Sequence, residues 1–291
     1  MSVGISHDRL FKRRIACSES QAILVAGKVS IGFFDKTGTL TKQGLDFISA
    51  ESFIGGNRCA SSSPSDDLTR AMAVCHTLVK SDKKGLIGNQ VDEVMFEASK
   101  AAMDSSNTKS IVITPKDGKS LRVIKRFEFD HHRMTQSVVV LDTKTGKMYA
   151  FVKGSAETMK KLCTQESLPS DFDSQTQASA KAGIYQISMA MREISTADPT
   201  DSATIVRDNV ESNLQFLGFI NFKNSLREET KDVVRELEVG DVRPIMVTGD
   251  SIFTGVCIAK ESGIISPKTQ GTLLNTVCLL LILPSYLFLR S

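Results

Sequence analysis

The stretch Lys28-Val29-Ser30-Ile31-Gly32-Phe33-Phe34-Asp35-Lys36-Thr37-Gly38-Thr39-Leu40-Thr41 is an apolar, strand-like run ending on one aspartate, with a Gly/Thr-rich turn directly after it. That order predicts a buried strand of an α/β fold whose last side chain emerges at the carboxyl end of the sheet, where such folds bind ligands. A carboxylate there can attack a phosphoryl group and form an acyl phosphate, a covalent intermediate that keeps its transfer potential. The plainer alternative is an aspartate capping an ordinary strand-to-helix turn.

A second region has the same character. Residues 214–221 form an apolar strand, and Ser225-Leu226-Arg227-Glu228 has the spacing of a capping box. The helix it opens would turn Val233, Val234 and Leu237 inward and stop at Gly240. Residues 242–247 form a further buried strand that ends at Thr248-Gly249-Asp250, followed by a helix to Gly263. Strand, helix, strand, helix predicts a right-handed parallel unit. With the strand at 29–34 it predicts one parallel-sheet domain, interrupted by an inserted α+β domain of about 160 residues. Asp35 and Thr248-Gly249-Asp250 then lie together at the carboxyl ends of neighbouring strands. The Thr248 hydroxyl and the Gly249 amide can donate to phosphate oxygens at a helix start, whose dipole favours anions.

Within the insertion, residues 67–80 and 90–103 have helical spacing, and residues 121–129, 136–141 and 147–153 read as strands. Thr145-Gly146 supplies a hairpin turn. Residues 164–177 read as a surface loop leading into a helix, 185–191 as another strand and 196–201 as a turn. Residues 48–67, with Gly55-Gly56 and the serine-rich run at 61–65, read as a Gly/Ser-rich loop that marks a boundary or a tolerated insertion. No internal repeat is visible.

The string DKTGTLT at 35–41 is identified as the phosphorylation motif of P-type ATPases, and with Thr248-Gly249-Asp250 it resembles their phosphorylation domain, a haloacid-dehalogenase-like Rossmann fold. The resemblance makes Asp35 the nucleophile, gives phosphate contacts to Lys36, Thr37, Thr248, Gly249 and Asp250, and places Mg2+ on Asp35 and Thr37. Phosphatase relatives carry a general acid-base aspartate two positions after the nucleophile; here that position is Thr37, which disfavours rapid hydrolysis of the phosphoenzyme. Cys17, Ala26-Gly27-Lys28 and Gly44-Leu45-Asp46 are similar to the B subgroup of the class-five pumps, associated with lysosomal and endomembrane polyamine export.

The insertion resembles the family's nucleotide-binding domain. Ala73-Val74-Cys75-His76-Thr77-Leu78 looks like its cysteine-histidine helix, with His76 structural, and Gly88-Asn89-Gln90-Val91-Asp92 like its Gly-Asp-Pro turn, which carries a nucleotide-facing acid to Asp92. Phe127-Glu128-Phe129 resembles the strand whose second phenylalanine stacks on adenine, a role that falls to Phe129; ordinary core packing is its alternative. Lys153-Gly154-Ser155-Ala156-Glu157 resembles KGAPE, which puts Lys153 and Gly154 in the adenosine pocket. Tyr185 stands where the family has an arginine, a substitution that should weaken ATP binding. His131-His132 reads as a loop pair.

The expected organisation is thus a stalk remnant at 1–27, phosphorylation domain at 28–47 and 213–268, nucleotide-binding domain at 48–212, and a non-family apolar tail at 269–291. Residues 269–289 carry no charge, and their length is marginal against the about 20 apolar residues of a membrane span, so a membrane-associated helix and a buried terminal segment both fit. The 36 basic and 33 acidic residues leave a net charge of only +3, which argues against nucleic acid as a partner. Six cysteines without a CxxC pair read as reduced core residues of a cytosolic domain, not as a disulfide frame or zinc site, and no signal peptide is visible. The family's TGE actuator motif, its GDGxND hinge with the preceding lysine, and its membrane helices do not appear, which reads as a partial gene product. The expectation is the catalytic portion of a pump in an endomembrane organelle, facing the cytosol, with ATP as substrate and a cation or polyamine as cargo. A remnant that only binds nucleotide is the alternative.

Overall fold

The Asp35 strand, Ile31–Asp35, pairs in parallel with Arg243–Thr248, Phe33 opposite Ile245 and Asp35 opposite Val247. The structure is a computed structural model that describes residues 2–61, 63–81, 85–104, 111–195, 204–249, 252–267, 279–282 and 287–290. Its chain divides into two units, Met1–Lys42 with Leu226–Ser291, and Gln43–Ser225.

In the first unit, helices Thr230–Val239 and Ile252–Ser262 cover the Phe34 face of the parallel pair. Their core joins Leu40, Val234, Met246, Ile258, Ala259, Ile264 and Ile265. The other face of the Asp35 strand is open: Ile31 is 46 % and Phe33 64 % exposed. The strand is therefore buried on one face only, a correction to the expectation from its unbroken apolar run. Helix Thr230–Val239 begins four residues later than a capping box at Ser225 requires, and its start shows no side-chain cap. The reason is local: Leu226 forms an antiparallel bridge with Thr41, which holds the chain extended where the first helical turn was expected. Val234 turns inward as expected, whereas Val233 is exposed.

The second unit is built on nine antiparallel strands. From edge to edge they run Asn57–Arg58, Asp46–Ile54, Gln215–Lys223, Tyr185–Ile194, Met148–Gly154, Thr135–Asp142, Leu121–Asp130, Val112–Thr114 and Ala102–Asp104. The expected strand at 214–221 is thus present but belongs to this sheet, not to the parallel one, and the units change over at 42/43 and 225/226 in place of 47/48 and 212/213. A run buried on both faces reads alike in a parallel core and in a central antiparallel strand. Its place is set by partners far along the chain. The Asn221 amide donates to Ser49 Oγ at 3.1 Å and Glu51 Oε1 at 2.9 Å, and its oxygen accepts from Gln186 Nε2 at 3.0 Å. A bulge skips Leu217, so Phe216 and Phe219 face the same side and meet edge to face, ring centres 4.9 Å apart. Gly218 makes the bulge possible, because a Cβ there would lie 2.0 Å from the Glu51 carbonyl oxygen.

Helices Asp66–Val74 and Gln90–Ser99 close one face over a core of Leu68, Met72, Met95, Val138, Phe151 and Ile220. Ser65 and Asn89 cap their first turns through Leu68 N–H and Val91 N–H. Both end earlier than periodicity suggests. Lys100 takes the left-handed conformation at the end of the second, and short strands Val79–Ser81 and Ala102–Asp104 follow the two helices. Residues 121–130, 135–142, 148–154 and 185–194 carry the expected strands, whereas the loop expected over 48–67 gives way at its start to strand Asp46–Ile54, which pairs with Gln215–Lys223 and turns at Gly55-Gly56 into Asn57–Arg58.

In the tail, Leu279–Ile282 pairs antiparallel with Met246–Thr248, and Leu287–Arg290 pairs with it in turn. The described part of the tail is therefore strand, where one reading had helix. Among the described residues no helix is long and apolar enough to cross a membrane. The turn expected at 196–201, Asp250 and Cys278 lie outside the described residues. None of the five described cysteines forms a disulfide; Cys75 is buried and Cys163 packs against two of the cores, so the expectation of core residues holds for Cys75 and in part for Cys163, whereas Cys17, Cys59 and Cys257 are partly accessible.

Candidate functional site

Asp35 is exposed at the carboxyl end of its strand, and its backbone is still extended there (φ −67°, ψ 148°). The turn after it combines an extended Thr37 with a left-handed Gly38 (φ 79°), a conformation for which glycine is suited. Thr41 closes the turn, its N–H and its hydroxyl both donating to the Lys36 carbonyl at 3.0 and 3.1 Å. The Lys36 side chain is fully buried, whereas Thr37 is exposed. At the end of the neighbouring strand Thr248 is buried, and Gly249 has open space where a Cβ would stand.

In the second unit the structure brings Asp92 and Lys153 together. Lys153 Nζ pairs with Asp92 Oδ1; the lysine is 7 % and the aspartate 3 % exposed. Asp92 Oδ2 also accepts from Thr77 N–H at 3.4 Å, which ties the first turn of Gln90–Ser99 to the loop after Asp66–Val74. A side chain at Gly154 would strike the Met134 carbonyl oxygen at 2.7 Å, so the room left by this glycine is taken by the protein's own backbone. Phe129 is 45 % exposed and stands edge-on to His131 at 5.1 Å. That exposure rules out the core reading of Phe129.

His76 is a structural residue. Its Nδ1 accepts from Leu78 N–H at 3.1 Å, so Nε2 carries the proton and donates to the Ala73 carbonyl at 2.8 Å. The ring thereby replaces the next turn of its helix. Burial, with the positive charge of Arg126 adding to it, pushes the imidazole down from 6.5 to about 4. Folding therefore excludes a proton that the unfolded chain binds below its ordinary value near 6.5. The associated stability is present above that pH and is lost as pH falls toward 4, by about 3 kcal/mol in all. Urea unfolding at pH 7.0 and 4.5 checks this: His76→Gln should lose much less between the two than the wild type, and equal losses would refute it. Burial also raises the Cys75 thiol to about 12, which makes it unreactive.

Sequence reading missed a second buried group on the opposite face of the sheet. Glu211 accepts from Thr135 Oγ1 at 3.0 Å, Ser137 Oγ at 2.8 Å and Arg207 Nε at 2.9 Å. Only the Arg207/Glu211 spacing of four residues was available as a signal. Its carboxylate is satisfied by protein donors, which marks a structural hub.

A parallel strand pair with an acidic end, and a second unit of nine antiparallel strands carrying a buried acid–base pair and an exposed aromatic, define a two-part α/β protein. Residues 65–229, more than half of the chain, match the family described as P-type ATPase, cytoplasmic domain N. The chain belongs to the P-type ATPase family. It is 34 % identical over 285 residues to mouse "Probable cation-transporting ATPase 13A4", covering 89 % of this chain and 23 % of that protein. It is 30 % identical over 314 residues to human "Polyamine-transporting ATPase 13A3", covering 93 % and 25 %, and 31 % identical over 322 residues to "Probable cation-transporting ATPase catp-6" of Caenorhabditis elegans, covering 95 % and 25 %. The chain thus spans about a quarter of the length of the curated relatives it matches. The family match takes in Gln215–Lys223, in accord with that strand's place in the antiparallel sheet.

Proposed function

We propose that the chain is the energy-transducing portion of an ATP-driven pump for a cation or a polyamine, in the membrane of an endomembrane organelle with this region facing the cytosol. The first unit serves as a haloacid-dehalogenase-like phosphorylation domain and the second as the nucleotide-binding domain. A carboxylate oxygen of Asp35 attacks the γ-phosphorus of ATP, the bond to the β,γ-bridging oxygen breaks, and ADP leaves with the electron pair. The observation that carries this reading is the parallel pairing of the Asp35 strand with the strand ending at Thr248, both carboxyl ends on one side. Lys36, Thr37, Thr248, Gly249 and Asp250 form the phosphate cradle. Because the Lys36 side chain is buried, its part is best filled by its backbone amide.

Among the described residues no group of three His, Cys, Asp or Glu side chains is placed to hold a metal ion. One carboxylate at Asp35 with the oxygens of Thr37 nevertheless suits Mg2+, which commonly binds through one or two carboxylates and substrate phosphates. Bound there, it would neutralise charge on the transferring phosphate.

In the second unit Phe129 offers its exposed ring to adenine, while the Asp92–Lys153 pair, with Gly154, forms the floor of the pocket. Titration of the full chain with ATP tests this part. Phe129→Ala should weaken binding by about 1–3 kcal/mol, the range for base–aromatic stacking. Equal affinities for wild type and variant would remove Phe129 from the site.

A further inference from the structure

We infer that Arg227 and Thr230, at the approach to helix Thr230–Val239, are positioning residues that hold the turn carrying Asp35; the inference rests on the reading of Asp35 as phosphate acceptor. The Thr230 hydroxyl donates to the Leu40 carbonyl at 2.7 Å, and the Arg227 N–H donates to the same oxygen at 3.2 Å. Arg227 Nη2 donates to the Gly38 carbonyl at 2.8 Å. Leu226 bridges Thr41, so the contacts form one continuous seam along the turn. Thr230 is 5 % exposed, so its bond to Leu40 is shielded from competing water.

The turn needs such a seam. Thr37 and Gly38 depart from helical geometry, so the segment is not supported as a regular helix would be. Beside it lies an open apolar groove lined by Phe34, Leu40, Thr230, Val233 and Leu237, which leaves space for the turn to shift if released. Peptide planarity then passes the restraint on: a Gly38 carbonyl held by a guanidinium fixes the opposite direction of the Thr39 N–H. The clamp thereby sets the direction of a donor four residues after the acceptor carboxylate.

The test uses the full chain and two readouts. Hydrogen exchange is followed at the Thr41 amide, bonded to Lys36, and at the Arg227 amide, bonded to Leu40. Thr230→Val should speed exchange at both by about fivefold, the worth of one hydrogen bond, while the amides of Ile31–Asp35 stay unchanged as evidence of an intact fold. Thr230→Ser keeps the donor and should restore the wild-type rates. Arg227→Gln, on the more exposed side of the seam, should loosen the turn without disturbing the core. The second readout is beryllofluoride with Mg2+, a phosphate analogue, titrated by fluorine NMR with Asp35→Asn as control. Thr230→Val and Arg227→Gln should each weaken binding several-fold and Thr230→Ser should not. Unchanged exchange, or beryllofluoride binding that needs Asp35 but is indifferent to Thr230 and Arg227, overturns the clamp. Binding that survives Asp35→Asn overturns the reading of Asp35 instead, while the exchange data still decide whether the seam holds the turn.

Discussion

Replacing Asp35 with asparagine is expected to abolish covalent labelling by γ-phosphate-labelled ATP in the presence of magnesium. The label should be stable in acid and released by hydroxylamine, as an acyl phosphate is. A neutral amide is a poor nucleophile and cannot form the mixed anhydride. Asp35→Glu keeps the charge but moves it by a methylene, and a displacement of that size should reduce the labelling rate by about 100-fold or more. Label that persists in Asp35→Asn would mean that the acceptor is another residue, and the proposed chemistry would fall.

Breaking the buried pair between Asp92 and Lys153 should have the largest effect on stability. Each group is almost fully removed from water, so Asp92→Leu strands an ammonium and Lys153→Met strands a carboxylate. An uncompensated buried charge costs about 3–5 kcal/mol, a large share of the about 5–15 kcal/mol that holds a domain together. The double variant Asp92→Leu/Lys153→Met removes both charges and should regain most of the loss, since apolar replacements of buried pairs are often neutral. Urea midpoints for the four proteins give the coupling directly. Single variants as stable as the wild type, yet weaker in ATP titration, would show that the pair is held for the nucleotide and not for the fold.

The position of Asp35 at a strand end, the glycine in the turn after it, the four strands at 121–130, 135–142, 148–154 and 185–194, and the division of the chain by an insertion were legible in the sequence. Each is carried by neighbours within a few residues: a run of apolar side chains, or a turn residue with its own backbone preference. The exposure of Ile31 and Phe33 was not legible, because an apolar run does not say whether one face or both will be covered. Nor was the sheet to which Gln215–Lys223 belongs. That choice was made by Asn221 bonding Ser49 and Glu51 across 172 and 170 residues, and by a bulge that periodicity does not record. The acid at 92 and the lysine at 153 could be picked out singly, but their pairing across 61 residues removed them from solvent and changed what each can do. The tie from Thr230 to the turn of Asp35 spans 190 residues and had no local trace at all. Local chemistry is written in spacing, whereas a long-range contact depends on which surfaces meet once the chain has closed its loops, and only the folded structure decides that.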